Sequence, residues 1–213
     1  MDAVRVALLR EVLAGTEWPG AARRFAGALR GAVEAQGGGL LLVGTEAYEP
    51  WHLAAHLDDE AAWSGLRALS PTLVRHRVPP AGPAHLGVGL GRLEAAGRGE
   101  TLLVVAPGDP GDALLERVGD ARRAGAAVLA LDGGSAELPG LAHELLTVPG
   151  GSDSGGEGEG DGIDMETVQH LVSAAAGENG APAPTPAASA RTGLRARLTR
   201  LAEVLSSPPP ARW

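Results

Sequence analysis

The chain has 213 residues with no cysteine and no lysine, which excludes disulfides, thiol nucleophiles, Cys-ligated zinc, lysine Schiff bases and a P-loop lysine. Its formal net charge of −8 argues against nonspecific binding of nucleic acid by the chain as a whole. Hydrophobic residues make up 44% of the sequence but aromatic residues only 3%, which predicts an aliphatic core.

The N-terminal segment shows no targeting signal, because Asp2, Arg5, Arg10 and Glu11 interrupt its apolar residues. The longest apolar runs are shorter than the roughly 20 residues that a membrane-spanning helix needs. We therefore expect a soluble, cytoplasmic protein that does not contact a membrane.

The chain begins with two predicted helices followed by a strand. Helical spacing of apolar residues indicates one helix over 4–13 and a second over 19–36, which opens on Pro19 and ends at three glycines. The apolar run 40–44 follows and is typical of a strand buried on both faces of a parallel sheet.

Less regular patterns follow this strand. A helix is predicted over 48–63, and a strand over 73–78 whose interspersed polar residues place it nearer a sheet edge. The pattern then predicts a weak helix over 84–96, interrupted by three glycines.

The middle of the chain gives the clearest pattern. Buried strands are predicted over 101–106 and 127–131, and a short strand over 145–148. A helix over 110–124 separates the first two, with Asp109 as its expected N-cap. Such alternation of strands and helices predicts right-handed βαβ units and a parallel sheet covered on both faces.

The C-terminal part is predicted to be one helix followed by appendages. A Gly- and acid-rich loop, 150–162, is expected to be disordered, and a helix follows over 163–176. The α/β domain is thus predicted to span 1–177. Three further segments follow: an Ala/Pro linker at 178–191, a short basic helix at 192–206 and a tail at 207–213.

The order of these segments carries a family resemblance. Strand 40–44 leads through a loop to Trp51-His52-Leu53-Ala54-Ala55-His56, and strand 102–106 leads to Pro107-Gly108-Asp109-Pro110-Gly111-Asp112. Segment 141–149 reads L-A-H-E-L-L-T-V-P. Over about residues 5–176 the chain resembles the sugar isomerase (SIS) domain family, and most of all its sedoheptulose-7-phosphate isomerase type. The resemblance implies an open, three-layer α/β sheet with helices on both faces, flavodoxin-like in layout, with an N-terminal helical pair. It also implies a homodimer or tetramer.

The two loops that would bind a sugar phosphate depart from the family pattern. SIS domains bind phosphate with hydroxyl groups and with backbone N–H groups at helix N-termini. Here the first loop has Thr45 but also Glu46 and Glu49, and the second has Asp109 and Asp112 without a hydroxyl. Two like charges about 4 Å apart repel by about 4 kcal/mol at an effective dielectric near 20. The same acids can equally serve as helix caps.

A small-molecule pocket is expected at the carboxyl ends of the strands, where open α/β sheets bind ligands. The residues predicted to line it are Gly44, Thr45, Glu46, Gly108 and Asp109.

Two histidines suggest a metal site. His52 and His56 stand four residues apart, which places both on one helix face, and such a pair can ligate zinc when a third ligand joins it. The resemblance implies that His52 matches one ligand of the isomerase, that His56 replaces another, and that Glu166 is a third. Gln169 and His170 are alternatives for that third position. The histidines can instead simply pack or face solvent.

The resemblance also implies a catalytic histidine on the C-terminal helix. His170 stands there, although a shift of one residue would put Gln169 in its place, and a partly exposed helix histidine is the structural alternative. Gly133-Gly134-Ser135 is either an anion-binding nest or an ordinary turn from strand to helix.

Three functions remain open from the sequence. The first is a divergent SIS-type domain that binds a small metabolite or sugar derivative without ordinary isomerase activity. The second is a dimeric scaffold or regulatory protein that meets a partner through its acidic loop or basic tail. The third is an active metal-dependent sugar-phosphate isomerase.

Overall fold

The computed structural model describes residues 3–78, 87–148 and 163–178. All of these belong to one compact unit, Met1–Asn179. Predictions for the loop 150–162, the basic helix 192–206 and the tail 207–213 lie outside the described residues, as does the linker beyond Glu178. The helices and strands run in this order: α1 Ala3–Val12, α2 Trp18–Gln36, β1 Leu40–Val43, α3 Trp51–Ser64, a 3-10 helix Arg67–Leu69, β2 Pro71–Val74, α4 Gly91–Glu94, β3 Thr101–Ala106, α5 Asp112–Arg123, β4 Ala127–Asp132, α6 Leu138–Leu141, β5 Glu144–Thr147 and α7 Met165–Gly177.

The five strands form one parallel sheet in the order β2-β1-β3-β4-β5. The chain runs from β1 outward to β2, then returns past β1 to β3, so the direction of winding reverses between β1 and β3. A reversal of this kind requires helices on both faces of the sheet. The predicted open α/β architecture with an N-terminal helical pair is therefore confirmed.

Each face of the sheet has its own aliphatic core. One set of alternate side chains, including Leu42, Leu103 and Leu131, packs against α2, α3 and α7. The other set, including Val43, Val104 and Ala130, packs against α4, α5 and α6. Because strand side chains alternate between faces, nearly continuous apolar runs supply both cores. Two layers of helices thus enclose the sheet.

Most predicted elements are found, with two errors of extent. The strand predicted over 73–78 lies at the sheet edge as expected, but it is β2, Pro71–Val74. The helix predicted over 84–96 is wrong in its described part, where only Gly91–Glu94 is helical. Residues 87–90 instead approach β2, with Arg75 N–H donating to the Val88 carbonyl at 2.9 Å. Glycines at 87, 89 and 91 raise the entropic cost of a helix there.

The predicted N-cap of α5 is also wrong. The helix starts at Asp112 with Gly111 as its N-cap residue at φ 74°, and Asp109 lies outside it. Asp109 Oδ1 accepts a hydrogen bond from Gly111 N–H at 2.9 Å. This local turn, in which a side chain bonds its own backbone two residues on, competes with capping.

Within the described ranges, no helix is both long enough and apolar enough to cross a bilayer.

Candidate functional site

The loop after β1 is folded tightly against the end of its own strand. A Cβ placed on Gly44 would lie 1.9 Å from the Tyr48 carbonyl oxygen, so only glycine permits this approach. The Gly44 carbonyl also lies 3.0 Å from His76 Nε2, on the segment that follows β2. Thr45 is buried as a result, at 5% exposure.

Both acids of this loop have arginine partners. Glu49 Oε2 accepts from Arg75 Nε at 2.9 Å in a half-buried pair, and Glu46 Oε1 accepts from Arg77 at 2.9 Å in an exposed pair. The arginines follow β2, the parallel neighbour of β1, so the two segments leave the sheet side by side. The negative charge expected in this loop is therefore balanced by the protein itself.

Tyr48 links this loop to α7. Gln169 Nε2 donates to the Tyr48 hydroxyl at 2.8 Å and to the Met165 carbonyl at 3.2 Å. Burial raises the pKa of Tyr48, and the charge of Glu166 raises it further, against a lowering by the Gln169 hydrogen bond. The phenol is thus held in its neutral form, as a fixed contact between the loop and α7.

Four residues predicted from the sequence meet where α3 packs on α7. Glu166 Oε1 lies 3.7 Å from His52 Nδ1 and 3.8 Å from His170 Nε2. The rings of His56 and His170 stand 4.8 Å apart between centroids. Burial lowers the pKa of His56, and a neighbouring His170 charge lowers it further. The fold therefore gathers three imidazoles and one carboxylate in a small volume.

These donors are of the type that zinc prefers. Within the described residues, however, no three His, Asp or Glu side chains form a group that could hold a single metal ion. A zinc site of His52, His56 and Glu166 stays a prediction, as does a catalytic role for His170.

A second feature is an open cleft at the carboxyl edge of the sheet, between the loops after β3 and β4. Its volume is about 420 Å³. The residues that line it are Pro107, Gly108, Asp109, Pro110, Gly133, Gly134, Ser135, Ala136 and Glu137. Its two walls touch at the base, where Gly133 N–H donates to the Ala106 carbonyl at 2.7 Å. A Cβ on Gly133 would lie 2.1 Å from the Pro107 carbonyl oxygen, so glycine is required there too.

The polar groups of this cleft are carboxylates, a hydroxyl and backbone groups. Ser135 Oγ donates to Glu137 Oε2 at 3.1 Å and accepts from the backbone N–H groups of Glu137 and Leu138. Asp109 and Glu137 are both exposed. None of the residues that line the cleft is basic.

Asp132 is the last residue of β4, directly before the wall of the cleft that Gly133 begins, and it does not itself line the cleft. It is 1% exposed, and its Oδ1 accepts a hydrogen bond from Ser135 N–H at 2.9 Å. The Gly133-Gly134-Ser135 turn therefore directs its Ser135 amide to a carboxylate of the protein.

Only two of the residues that were predicted to form one pocket line this cleft. Gly108 and Asp109 line the cleft between the β3 and β4 loops, whereas Gly44, Thr45 and Glu46 belong to the closed loop after β1 and do not line it. The sequence interpretation missed Glu137, which lines the cleft, and Asp132, which holds the cleft wall through its hydrogen bond from Ser135 N–H. An acid that ends a buried apolar strand, followed by Gly-Gly-Ser, is the signal that could have identified Asp132.

Comparison with known proteins gives little beyond the fold. No protein-family model matches the chain, and no curated protein matches it. One of the solved structures that it resembles is of a protein from Salmonella typhimurium LT2, provisionally described as sugar binding. The TM-score is 0.47 and the identity 15%, over 92% of this chain and 52% of the other. This chain therefore spans about half the length of that one, and a likeness of this size carries no argument about the ligand.

Proposed function

We propose that this chain is a divergent SIS-type domain that binds a small polyhydroxylated metabolite or sugar derivative between the β3 and β4 loops. In this proposal it does so without ordinary sugar-phosphate isomerase activity. The observation that carries the proposal is the cleft of about 420 Å³ at the carboxyl ends of β3 and β4, because open α/β sheets bind ligands at the carboxyl ends of their strands; the cleft lies one strand away from the reversal of winding between β1 and β3.

The chemistry of the walls suits hydroxyl groups. Carboxylate oxygens of Asp109 and Glu137 accept hydrogen bonds from hydroxyls, whereas the Ser135 hydroxyl is already engaged with Glu137 and Leu138. A phosphate would instead meet these carboxylates with no basic side chain among the lining residues. Repulsion of about 4 kcal/mol for two charges 4 Å apart at an effective dielectric near 20 disfavours a phosphate here.

A matched pair of tryptophan substitutions tests the proposal. Ala136 is exposed on the cleft wall and Ala95 is exposed beyond α4, outside the cleft. Calorimetric titration with glucose, fructose and glucosamine is expected to show binding that Ala136→Trp abolishes and Ala95→Trp preserves. The proposal fails if none of these sugars binds, or if Ala136→Trp leaves binding intact.

A metal-dependent isomerase is the second candidate, and the gathering of His52, His56 and His170 around Glu166 favours it. Metal analysis of the purified protein, with His52→Ala as the control, tests this candidate. Stoichiometric zinc that is lost in the variant would support it, and the absence of bound metal would rule it out.

A further inference from the structure

We propose that the outer face of α3 is a docking surface for a cationic helix of a partner protein, with Trp51 and Trp63 as its apolar contacts and Asp58 and Asp59 as its charged contacts. This inference goes beyond the proposed function and is independent of it, because none of these residues lines the cleft between the β3 and β4 loops.

The helix α3 has one buried side and one exposed side. Leu53, Leu57 and Ala61 are buried and pack in the core that also contains α7. At 3.6 residues per turn, the opposite side covers an arc of about 140°. The residues that we assign to the docking surface lie on this arc and are all exposed: Trp51, Ala55, Asp58, Asp59, Ala62 and Trp63. The helix thus presents two indoles, two methyl groups and two carboxylates to solvent.

The two tryptophans are the first support. Trp51 is 56% exposed and Trp63 is 68% exposed, whereas Trp18 packs against the core. Tryptophan combines a large apolar area with one N–H donor, and it is enriched among the residues that dominate the binding energy of protein interfaces. Trp51 begins α3 and Trp63 is its next-to-last residue, so the two are about 18 Å apart along the helix axis. The small Ala55 and Ala62 between them allow a second helix to approach closely.

Charge complementarity decides the kind of partner. α3 contains Asp58, Asp59 and Glu60 but no arginine, and the whole chain has a formal net charge of −8. An arginine of a partner can stack on an indole and can also bond a carboxylate, which suits a face that carries both groups. A second copy of α3 packed antiparallel on the first would instead bring aspartates against aspartates. An anionic membrane or a nucleic acid would meet the same repulsion.

The test titrates the full chain into a fluorescein-labelled synthetic helical peptide of leucine, alanine and arginine, with fluorescence anisotropy as the readout. A second peptide, with glutamate in place of every arginine, is the matched probe and is expected not to bind. Trp63→Ala is expected to weaken binding of the arginine peptide about tenfold, as the loss of an interface anchor does. Asp58→Asn combined with Asp59→Asn is expected to weaken it about fivefold, as the loss of two exposed ion pairs does.

Two substitutions elsewhere on the surface are the controls. Val12→Ala removes an apolar side chain of α1 that is 79% exposed, and Glu116→Gln neutralises an exposed acid of α5. Both are expected to leave the affinity for the arginine peptide unchanged. Because every substituted side chain is exposed, all variants are expected to keep the urea unfolding midpoint of the wild type, which separates lost binding from lost folding.

Several outcomes would overturn the inference. These are no binding of the arginine peptide, equal binding of the glutamate peptide, an affinity that survives Trp63→Ala, and an equal loss of affinity in Val12→Ala. A dimer in sedimentation velocity that Trp63→Ala dissociates would also overturn it, since a second copy of the chain would then occupy this face. None of these results bears on sugar binding in the cleft, which Ala136→Trp tests separately.

Discussion

The two carboxylates of the loop after β1 are paired with arginines. In contrast, Asp109, in the loop after β3, and Asp112, which begins α5, have no basic partner in the described residues. Glu49 and Glu46 pair with Arg75 and Arg77, both at 2.9 Å. Asp109 bonds only a backbone N–H of its own turn.

The neighbouring strand explains this difference. β1 is flanked on one side by β2, and the residues that follow β2 bring the arginines. β3 is flanked on its far side by β4, and the residues at the end of β4 bring further acids, Asp132 and Glu137. The charge at each loop is therefore set by the strand that lies beside it. Within the described residues, one loop is neutralised by arginines and the other keeps its negative charge.

The largest effects are expected from the glycines that let each loop close on its neighbour. An alanine at Gly44 or Gly133 places a Cβ 1.9 or 2.1 Å from a backbone oxygen, so the main chain must move. We expect each substitution to lower the free energy of unfolding by about 3 kcal/mol, the upper range for overpacking. Gly108→Ala meets nothing within 4 Å and is the control. Urea unfolding midpoints that match that of Gly108→Ala would contradict the close approach.

Helix caps sharpen the comparison between carboxylates with and without a partner. Asp164 caps α7, accepting from Thr167 N–H at 2.7 Å, whereas Asp109 caps nothing. Asp164→Ala is expected to lower the free energy of unfolding by about 1 kcal/mol, the usual value of an N-cap. Asp109→Ala removes only the exposed hydrogen bond from Gly111 N–H, so it is expected to lower the free energy of unfolding by less. Equal losses for the two variants in urea unfolding would refute the cap assignment.

The Asp164 cap also predicts a dependence on pH. Burial raises the pKa of Asp164, but the hydrogen bonds from Thr167 outweigh it and leave the pKa below its usual value. A carboxyl group whose pKa is lower in the folded state stabilises the fold above its unfolded pKa, and this contribution is lost as pH falls through the folded pKa. The stability gap between the wild type and Asp164→Ala is therefore expected to close in acid. A gap that persists in acid would contradict this account.

The ion pairs of the β1 loop are expected to have smaller effects. Arg75→Gln should cost about 1 kcal/mol because the pair with Glu49 is half-buried, while Arg77→Gln should cost about 0.2 kcal/mol because its pair is exposed. Double-mutant cycles with Glu49→Gln and Glu46→Gln measure the two coupling energies. A larger coupling energy for the exposed Glu46–Arg77 pair than for the half-buried Glu49–Arg75 pair would contradict this ranking.

The smallest effect concerns His56, on the side of the molecule that includes α3 and α7. Its pKa is lowered by burial and by the neighbouring His170, so the folded state prefers the neutral ring. A histidine with a lower pKa in the folded state stabilises the fold above its unfolded pKa of about 6.5 and loses this contribution as pH falls. His56→Gln should therefore lose less stability than the wild type between about pH 7 and about pH 5. Profiles of the free energy of unfolding against pH that run parallel for the wild type and His56→Gln would contradict this expectation.

The sequence predicts the fold well where apolar runs are continuous. β3 is found over the predicted residues 101–106, and β4 extends the predicted strand by Asp132 alone. Such strands are buried on both faces, so their pattern is independent of distant partners. In its described part, from residue 87, the predicted helix over 84–96 is wrong because its glycines and a bridge between Gly89 and Arg75 override a weak pattern.

The site was predictable only in part, because its electrostatics depend on residues far apart in the chain. His52 and His56 could be placed on one helix face from their spacing alone. The pairing of Glu49 with Arg75 spans 26 positions and depends on the order of strands, which the local pattern does not give. For the same reason, the sequence could not show that Gly108 lines a cleft together with residues of the loop after β4.

Residue-by-residue mapping of ligand contacts by NMR tests the central claim most directly. On titration with glucosamine, the amide signals of Gly108, Gly133, Gly134 and Ser135 are expected to shift, while those of Gly44 and Thr45 stay in place. Glucosamine 6-phosphate at the same concentrations is expected to shift these signals less. Shifts centred on Gly44 and Thr45, or larger shifts with the phosphate, would contradict the assignment of the acidic cleft as the ligand site.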